Sequence, residues 1–433
     1  MNLDTFFSIW YDEKAMDVVK TYGNLIKKYA PSHPVAARRM IETGLFLENI
    51  RAKHLSDKRI PKAYVELNSL AVRSILSGIR HPESTAWTNL FAPVEILESF
   101  DLACVSAEAF SSFMSGFMIE DLFLSDAEAM GIAPTLCSYH KCFLGLIDGS
   151  VLPPAKIAVA ASVACDANFN TFRLVHSKTS VPTVFLDIPS VLNDNTLRYV
   201  SEQLKDLIHT LESITGKRFD IDRLREILDT ENRSKTYYKE YLKEKASRYY
   251  PTTLTLQMYG LFATHLAIGS KETLHFFSSL SEEIKTAPVF QGKRIFWIHL
   301  LPFYQETLKS VLNLSEHYQI QGFEMNMDYM DELDLKDPFA SLSVKLIRNL
   351  YNRPFEDKEA FVINIAKELR ADALIHFCHW GCKQSIGGVQ RIREAAGKAS
   401  LPILVLDGDG IDRKNSGDAQ IKTRLEAFME MIE

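Results

Sequence analysis

The sequence predicts an α/β fold of two tandem doubly wound domains, flavodoxin- or Rossmann-like, with further helices before and between them. Three observations predict it. From about Trp87, short apolar runs alternate with helix-like segments, as in an open, mostly parallel sheet with helices on both faces. A second alternating set appears after residue 290. The stretches preceding each set have apolar residues at three- and four-residue steps and few strand signals.

Helices open the chain. "AMDVVKTYGNLIKKYA" and "AYVELNSLAVRSILSGI" carry the helical period, and residues 1–85 read as an N-terminal helical region. Residues 86–215 form the first α/β domain, whose strands fall in "WTNLFAP", "DLACVSA", "KIAVAASVAC" and "VPTVFLDIP". A helical insert, 216–290, follows "TLRYVSEQLKDLIHTLESITGKRFD". The second α/β domain, 291–433, takes its strands from "RIFWIHLLPF", "IQGFEMNMD", "ADALIHFCHW" and "LPILVLDGD". No fixed-period repeat or low-complexity tract interrupts the order.

Composition narrows the function. A chain of 433 residues supports several cores, and 46% hydrophobic with 24% charged residues is the balance of a globular protein. No apolar run approaches the roughly 20 residues that span a bilayer, and "MNLDTFFSIWYDEK" lacks the pattern of a signal peptide. The expected location is cytoplasmic, without a membrane partner. A net charge of -6, and basic stretches interleaved with Asp and Glu, argue against nucleic-acid binding.

Six cysteines are too sparse for a disulfide scaffold and are expected to be reduced. Cys104, inside "DLACV", and Cys378, beside Phe377, read as buried fillers. Cys137, Cys165 and Cys382 are each followed by polar residues, "CSYHK", "CDANFN" and "CKQS". Cys165 and Cys382 fall at the carboxyl ends of expected strands, beyond which open α/β sheets bind ligands. Cys137 and Cys142 follow the loop "GIAPT".

Several chemistries suit such thiols. The C-x4-C of Cys137 and Cys142 and the C-x3-C of Cys378 and Cys382 are compatible with zinc but unspecific. Three thiolates from distant segments also suit a [4Fe-4S] cube with one exchangeable iron, which acts as a Lewis acid. A nucleophile pair, Cys137 with His140 or Cys382 with His379, is a further alternative. No phosphate-binding glycine motif, H-E-x-x-H or G-x-S-x-G is present, so ATP and dinucleotides have no evident cradle.

The segments "TLCSYHKCFLG", "VACD", "HWGCKQSIGG" and "LPILVLDGDGIDRKNSGDAQIKTRLEAFMEMI" resemble the 2-hydroxyacyl-CoA dehydratase D-component family, whose relatives include benzoyl-CoA reductase subunits. The likeness runs in order from about Phe91 to the C-terminus. It includes "FAPVEILESFDLACV", with Pro93 and Glu95, and "LESITGKRFDIDRLREILDTENRS". Its most specific part is the Cys382 block followed by Gln420, Thr423, Arg424 and Phe428.

The resemblance implies a [4Fe-4S] cluster between the two α/β domains, held by Cys137, Cys165 and Cys382. It implies an acyl-CoA substrate, a homologous second subunit and a separate ATP-dependent iron-sulfur activator. The implied reaction eliminates water from an (R)-2-hydroxyacyl-CoA through a ketyl radical, giving a 2-enoyl-CoA. Glu95 is a candidate polar group of the site, although an ordinary first-turn helix carboxylate looks the same. Cys104, Cys142 and Cys378 bring the thiols to six, the number for a double-cubane [8Fe-9S] cluster. That alternative would make the chain an ATP-coupled low-potential or benzoyl-CoA-type reductase. A metal-free α/β protein that binds acyl-CoA or a partner is the reading from another class. Asp407, Asp409 and Asp412 mark an acidic loop that would bind a cation or, more simply, form a solvated turn capping the next helix.

Overall fold

A computed structural model describes residues 13–433. Residues 1–12 hold most of the segment behind the expectation of no signal peptide and lie outside the described residues. The described chain begins with helices α1 (Glu13–Tyr29), α2 (Pro34–His54) and α3 (Lys62–Arg80). In α2 a proline near the start has the helical φ already set, and Arg51, Lys53 and His54 meet the negative end of the dipole. In α3 the steps Leu67, Ala71, Ile75 and Ile79 place one stripe wholly in the core.

The first sheet is built from β1 (Thr85–Thr88), β2 (Ala103–Ser106), β3 (Ile157–Ala161) and β4 (Thr183–Leu186). Its helices are α4 (Val94–Glu98), α5 (Ala107–Gly116), α6 (Glu120–Ala129), α7 (Ser138–Asp148) and α8 (Asp166–Lys178). All pairings are parallel, in the order β2-β1-β3-β4. The chain then runs through α9 (Asp194–Thr215), which opens on an Asn193/Thr196 capping box and ends at Gly216 with φ +70. Next come α10 (Ile221–Lys245), α11 (Leu254–Leu261) and α12 (Lys271–Ile284), capped by Asp220, Thr253 and Ser270. A π-turn, Phe262–Leu266, continues α11.

The second sheet repeats the first, with β5 (Lys293–Ile298), β6 (Tyr318–Phe323), β7 (Ala373–His379) and β8 (Ile403–Gly408) parallel in the order β6-β5-β7-β8. Its helices are α13 (Glu306–Leu312), α14 (Pro338–Ile347), α15 (Phe355–Glu368), α16 (Lys383–Ile386), α17 (Val389–Lys398) and α18 (Asp418–Ile432). Strands β1, β3 and β7 are buried throughout, as expected of parallel strands covered on both faces, whereas β4 and β8 are partly exposed edges. In each sheet the strand order reverses beside the first strand, between β1 and β3 and between β5 and β7. Such switch points open a crevice beyond the carboxyl ends.

All eight expected strands form, but several apolar runs outlast them. "WTNLFAP" stops being strand at Thr88. Pro93 has no N–H to offer a ladder, and Asn89 is held by both an accepted and a donated bond to the Ala161 backbone, 3.0 and 2.9 Å. "KIAVAASVAC" ends as strand at Ala161, "RIFWIHLLPF" at Ile298 and "IQGFEMNMD" at Phe323. The turns that follow are buried or half-buried, so they keep apolar residues such as Val163, Leu301 and Met325 that prolong the strand-like pattern.

Polar contacts lock the halves together. Ser138 Oγ donates to Asp409 at 2.6 Å, Ser115 Oγ donates to the Ile411 carbonyl at 2.9 Å, and Arg413 pairs with Glu120 at 3.0 Å. Lys345 on α14 pairs with both Glu95 on α4 and Glu231 on α10, the latter at 2.7 Å. No helix among the described residues is long and apolar enough to cross a membrane.

Candidate metal centre between the two sheets

A cavity of about 100 Å³ opens where the crevices meet, and Cys137, Cys165 and Cys382 all line it. One water needs about 10–15 Å³ by the same measure. Cys137 stands at the N-cap of α7, Cys165 at that of α8 and Cys382 at that of α16. The last two follow β3 and β7, the same strand in each sheet. The starts of α7 and α8 bring backbone amides to the Cys137 and Cys165 thiols, an arrangement that favours thiolate and anionic ligands.

Local backbone conformation fixes these positions. Ala164, just before Cys165, has φ +77, and His299, just after β5, has φ +68. Left-handed non-glycine residues cost energy and persist where surroundings enforce them, often at functional sites. Gly381, at φ +76, lets the segment of Cys382 approach that of Cys137: a Cβ there would lie 2.6 Å from the Thr135 carbonyl oxygen and 2.9 Å from the Cys137 nitrogen. No side chain fits.

The thiols have imidazole neighbours from the second sheet. Cys137 Sγ lies 3.2 Å from His379 Nε2, and Cys382 Sγ lies 3.6 Å from His299 Nε2. The Gly410 amide donates to His379 Nδ1 at 3.0 Å. Nδ1 is thus the acceptor, Nε2 carries the proton, and that N–H points at the Cys137 sulfur. The adjacent-in-sequence pairs, Cys137 with His140 and Cys382 with His379, are not the contacts that form.

Burial sets the electrostatics. It pushes the Cys137 thiol well above its usual range, with Cys382 and Cys165 adding to the effect, and pushes Cys165 up to about 12. His299 and His379 are held below the usual histidine range, first by burial. Without a cation Cys137 and Cys165 are held toward the neutral thiol; a bound metal reverses that balance by displacing their protons.

The remaining candidates lie elsewhere. Cys104 on β2, Cys142 inside α7 and Cys378 on β7 are buried outside the cavity. Glu95 lines a smaller neighbouring cavity, ion-paired to Lys345, and shares with the thiol site only the walls of Leu90 and Phe91. The acidic loop does not converge. Asp407 is exposed beside Arg424 at 3.2 Å, and Asp412 accepts from the Lys414 amide. Asp409 is buried, not solvated, because Ser138 and the amides of Ile411 and Asp412 bond to its Oδ1.

Sequence reasoning missed Glu108, His299 and Tyr351, which also line the cavity. Glu108, in the first turn of α5, is held above the usual carboxyl range by burial, and its Oε2 is buried without a hydrogen-bond partner. The sole signal in the sequence was an acid two residues past the end of β2. His140 Nδ1, Asn168 Oδ1 and His299 Nδ1 are likewise buried and unpartnered around the space.

No three His, Cys, Asp or Glu side chains close on one point as a single ion requires, among the described residues. A cube offers a different iron at each corner, so its thiolates stand around a cavity without meeting at one atom. Three thiols from separate helix starts, facing one space with unsatisfied polar atoms, fit that demand.

Fold and site together define a two-sheet α/β protein with a thiol-lined centre at the facing switch points. A search against protein-family models matches residues 89–432 to "2-hydroxyglutaryl-CoA dehydratase, D-component". The chain belongs to that family and is an enzyme subunit of the dehydratase class. It is 21% identical to the (R)-phenyllactyl-CoA dehydratase alpha subunit of Clostridium sporogenes, over 88% of this chain and 98% of the relative. It is 22% identical to the lactoyl-CoA dehydratase subunit alpha of Anaerotignum propionicum, over 81% and 91%. A benzoyl-CoA reductase subunit of Thauera aromatica is 23% identical, over 72% and 79%.

Proposed function

We propose that this chain is the iron-sulfur subunit of a cytoplasmic (R)-2-hydroxyacyl-CoA dehydratase, acting with a homologous second subunit and an ATP-dependent iron-sulfur activator. Units 86–215 and 291–433 serve as its doubly wound domains, with 1–85 and 216–290 as the helical parts. The observation that carries this reading is the placement of Cys137, Cys165 and Cys382, each at a helix start, around one cavity. These three thiolates would hold a [4Fe-4S] cluster. The cluster would supply a one-electron couple and an open iron for a substrate oxygen. Cys104, Cys142 and Cys378 lie outside the cavity, which supports one cube over the double-cubane reductase alternative.

The residues of this chain account for the other requirements. A proton β to a thioester carbonyl is barely acidic, so direct loss of the 2-hydroxyl is slow. One electron added to the carbonyl gives a ketyl that expels the neighbouring hydroxide. Glu108, whose carboxyl burial holds above its usual range, would give its proton to that hydroxide and release water. The resulting radical has an acidic β-proton, which the Glu108 carboxylate takes back. Return of the electron leaves the enoyl-CoA and an unchanged carboxyl. The largely carbon-lined cavity excludes water from these steps.

The test is iron and acid-labile sulfide per chain, measured on protein purified without oxygen, for the parent and six single Cys→Ala variants. About four of each are expected in the parent. Cys137→Ala, Cys165→Ala and Cys382→Ala should lose both, whereas Cys104→Ala, Cys142→Ala and Cys378→Ala retain them. Full iron in any of the first three overturns the ligand set. A parent value near eight favours the double cubane, and reproducible absence favours a metal-free binding protein.

A further inference from the structure

Five of the nine residues from Met258 to Leu266 face the thiol cavity: Met258, Tyr259, Leu261, Phe262 and Leu266. The spacing i, i+1, i+3, i+4 and i+8 puts all five on one helical face, so the segment presents a continuous apolar wall. The π-turn over Phe262–Leu266 carries the far end of that wall, a feature found often at functional sites. Aromatic packing holds the wall in place. Phe113 and Tyr259 stack in parallel, 5.4 Å apart and 2° from coplanar, and Phe262 meets both edge-on at 6.0 Å.

The charge inventory is one-sided. Glu108 is the only acidic side chain on the cavity, and no Lys or Arg lines it among the described residues. His379 and His299 direct their Nε2 atoms at thiols. His140, buried, has its pKa pushed down to about 4 and offers no cation at neutral pH. A carboxylate carried into this space would be an unpaired buried charge beside another acid, which disfavours its entry.

We infer that this site takes 2-hydroxyacyl-CoA thioesters whose acyl chain ends in an apolar group, aliphatic or aromatic and larger than methyl, and rejects those ending in a carboxylate. Met258, Phe262 and Leu266 are the residues that select. The inference rests on the dehydratase reading for the placement of the acyl chain in this cavity. The CoA portion is common to all such thioesters, so it cancels in any ratio of affinities.

Equilibrium binding to the anaerobically purified protein tests it, using 2-hydroxyhexanoyl-CoA, lactoyl-CoA and 2-hydroxyglutaryl-CoA. The hexanoyl thioester should bind roughly a hundredfold tighter than the glutaryl one, and equal or reversed affinities overturn the inference. Phe262→Ala should weaken the hexanoyl ligand about tenfold and lactoyl-CoA less than about threefold; equal losses would overturn it. Leu266→Arg should narrow the hexanoyl-to-glutaryl ratio at least about tenfold by pairing the carboxylate; an unchanged ratio in a folded variant counts against the wall as selector. Formation of enoyl-CoA is read separately, with the partner and activator present. Intact binding preference without turnover would sink the dehydratase reading and leave the apolar selection standing.

Discussion

Cys137 and His379 are 242 positions apart, yet Cys137 Sγ and His379 Nε2 lie 3.2 Å apart, with the imidazole tautomer fixed by the Gly410 amide. An N–H aimed at a ligand sulfur stabilises the more negative, reduced state of a cluster. His379→Ala should therefore lower the one-electron midpoint potential of the proposed cluster by about 60–120 mV. That is the equivalent of the 10- to 100-fold effects typical of outer-shell partners, at about 59 mV per tenfold change. His379→Gln, which keeps a donor, should restore part of the loss. A redox titration giving the parent potential for both variants would refute the role.

Glu108→Gln keeps the shape of the side chain but removes its proton. Turnover should fall by about 10²–10⁴-fold while KM changes little. Steady-state rates on a 2-hydroxyacyl-CoA decide this, and a rate within threefold of the parent would remove Glu108 from the chemistry.

Lys345 neutralises two buried carboxyls on separate elements, Glu95 and Glu231. Burial raises Glu95. Burial also acts to raise Glu231, but Lys235 and Lys345 outweigh it and draw that group down to about 2. Lys345→Met should cost about 3–5 kcal/mol, because it leaves buried charge uncompensated. Denaturant unfolding measures the loss; under about 1 kcal/mol would mean that the carboxyls simply take up protons.

Lys245 is buried, with its ammonium 5.3 Å from the Tyr241 ring, and burial pushes its pKa down from 10.5 to about 7. Between those two values the unfolded chain binds more protons than the folded one, so stability rises with pH across that window. Lys245→Met should remove this rise and add about 1–4 kcal/mol near pH 7. Melting curves from pH 6.5 to 10 provide the check; an identical slope in parent and variant would contradict it.

Much of this protein is readable along the chain. Strands β3 and β7 are legible because parallel strands covered on both faces must be apolar throughout, and runs such as "IAVAA" and "ALIHF" satisfy little else. Cys165 and Cys382 are legible as residues of the crevice because polar sequence begins just beyond those strands. The same logic fails for strand ends: "WTNLFAP" and "RIFWIHLLPF" run on into buried turns, since burial selects apolar residues whatever the backbone does.

The sequence by itself determined the two α/β units, the helices around them and the types of side chain available for a cluster. Those follow from local period and composition, which act over a few residues. Only the tertiary structure decided that His379 serves Cys137 instead of its neighbour Cys382, that Glu108 faces the thiols while Glu95 turns to Lys345, and that the π-turn walls the cavity. These depend on contacts between segments far apart in the chain, whose energies exist only once both sheets have formed and their switch points face each other.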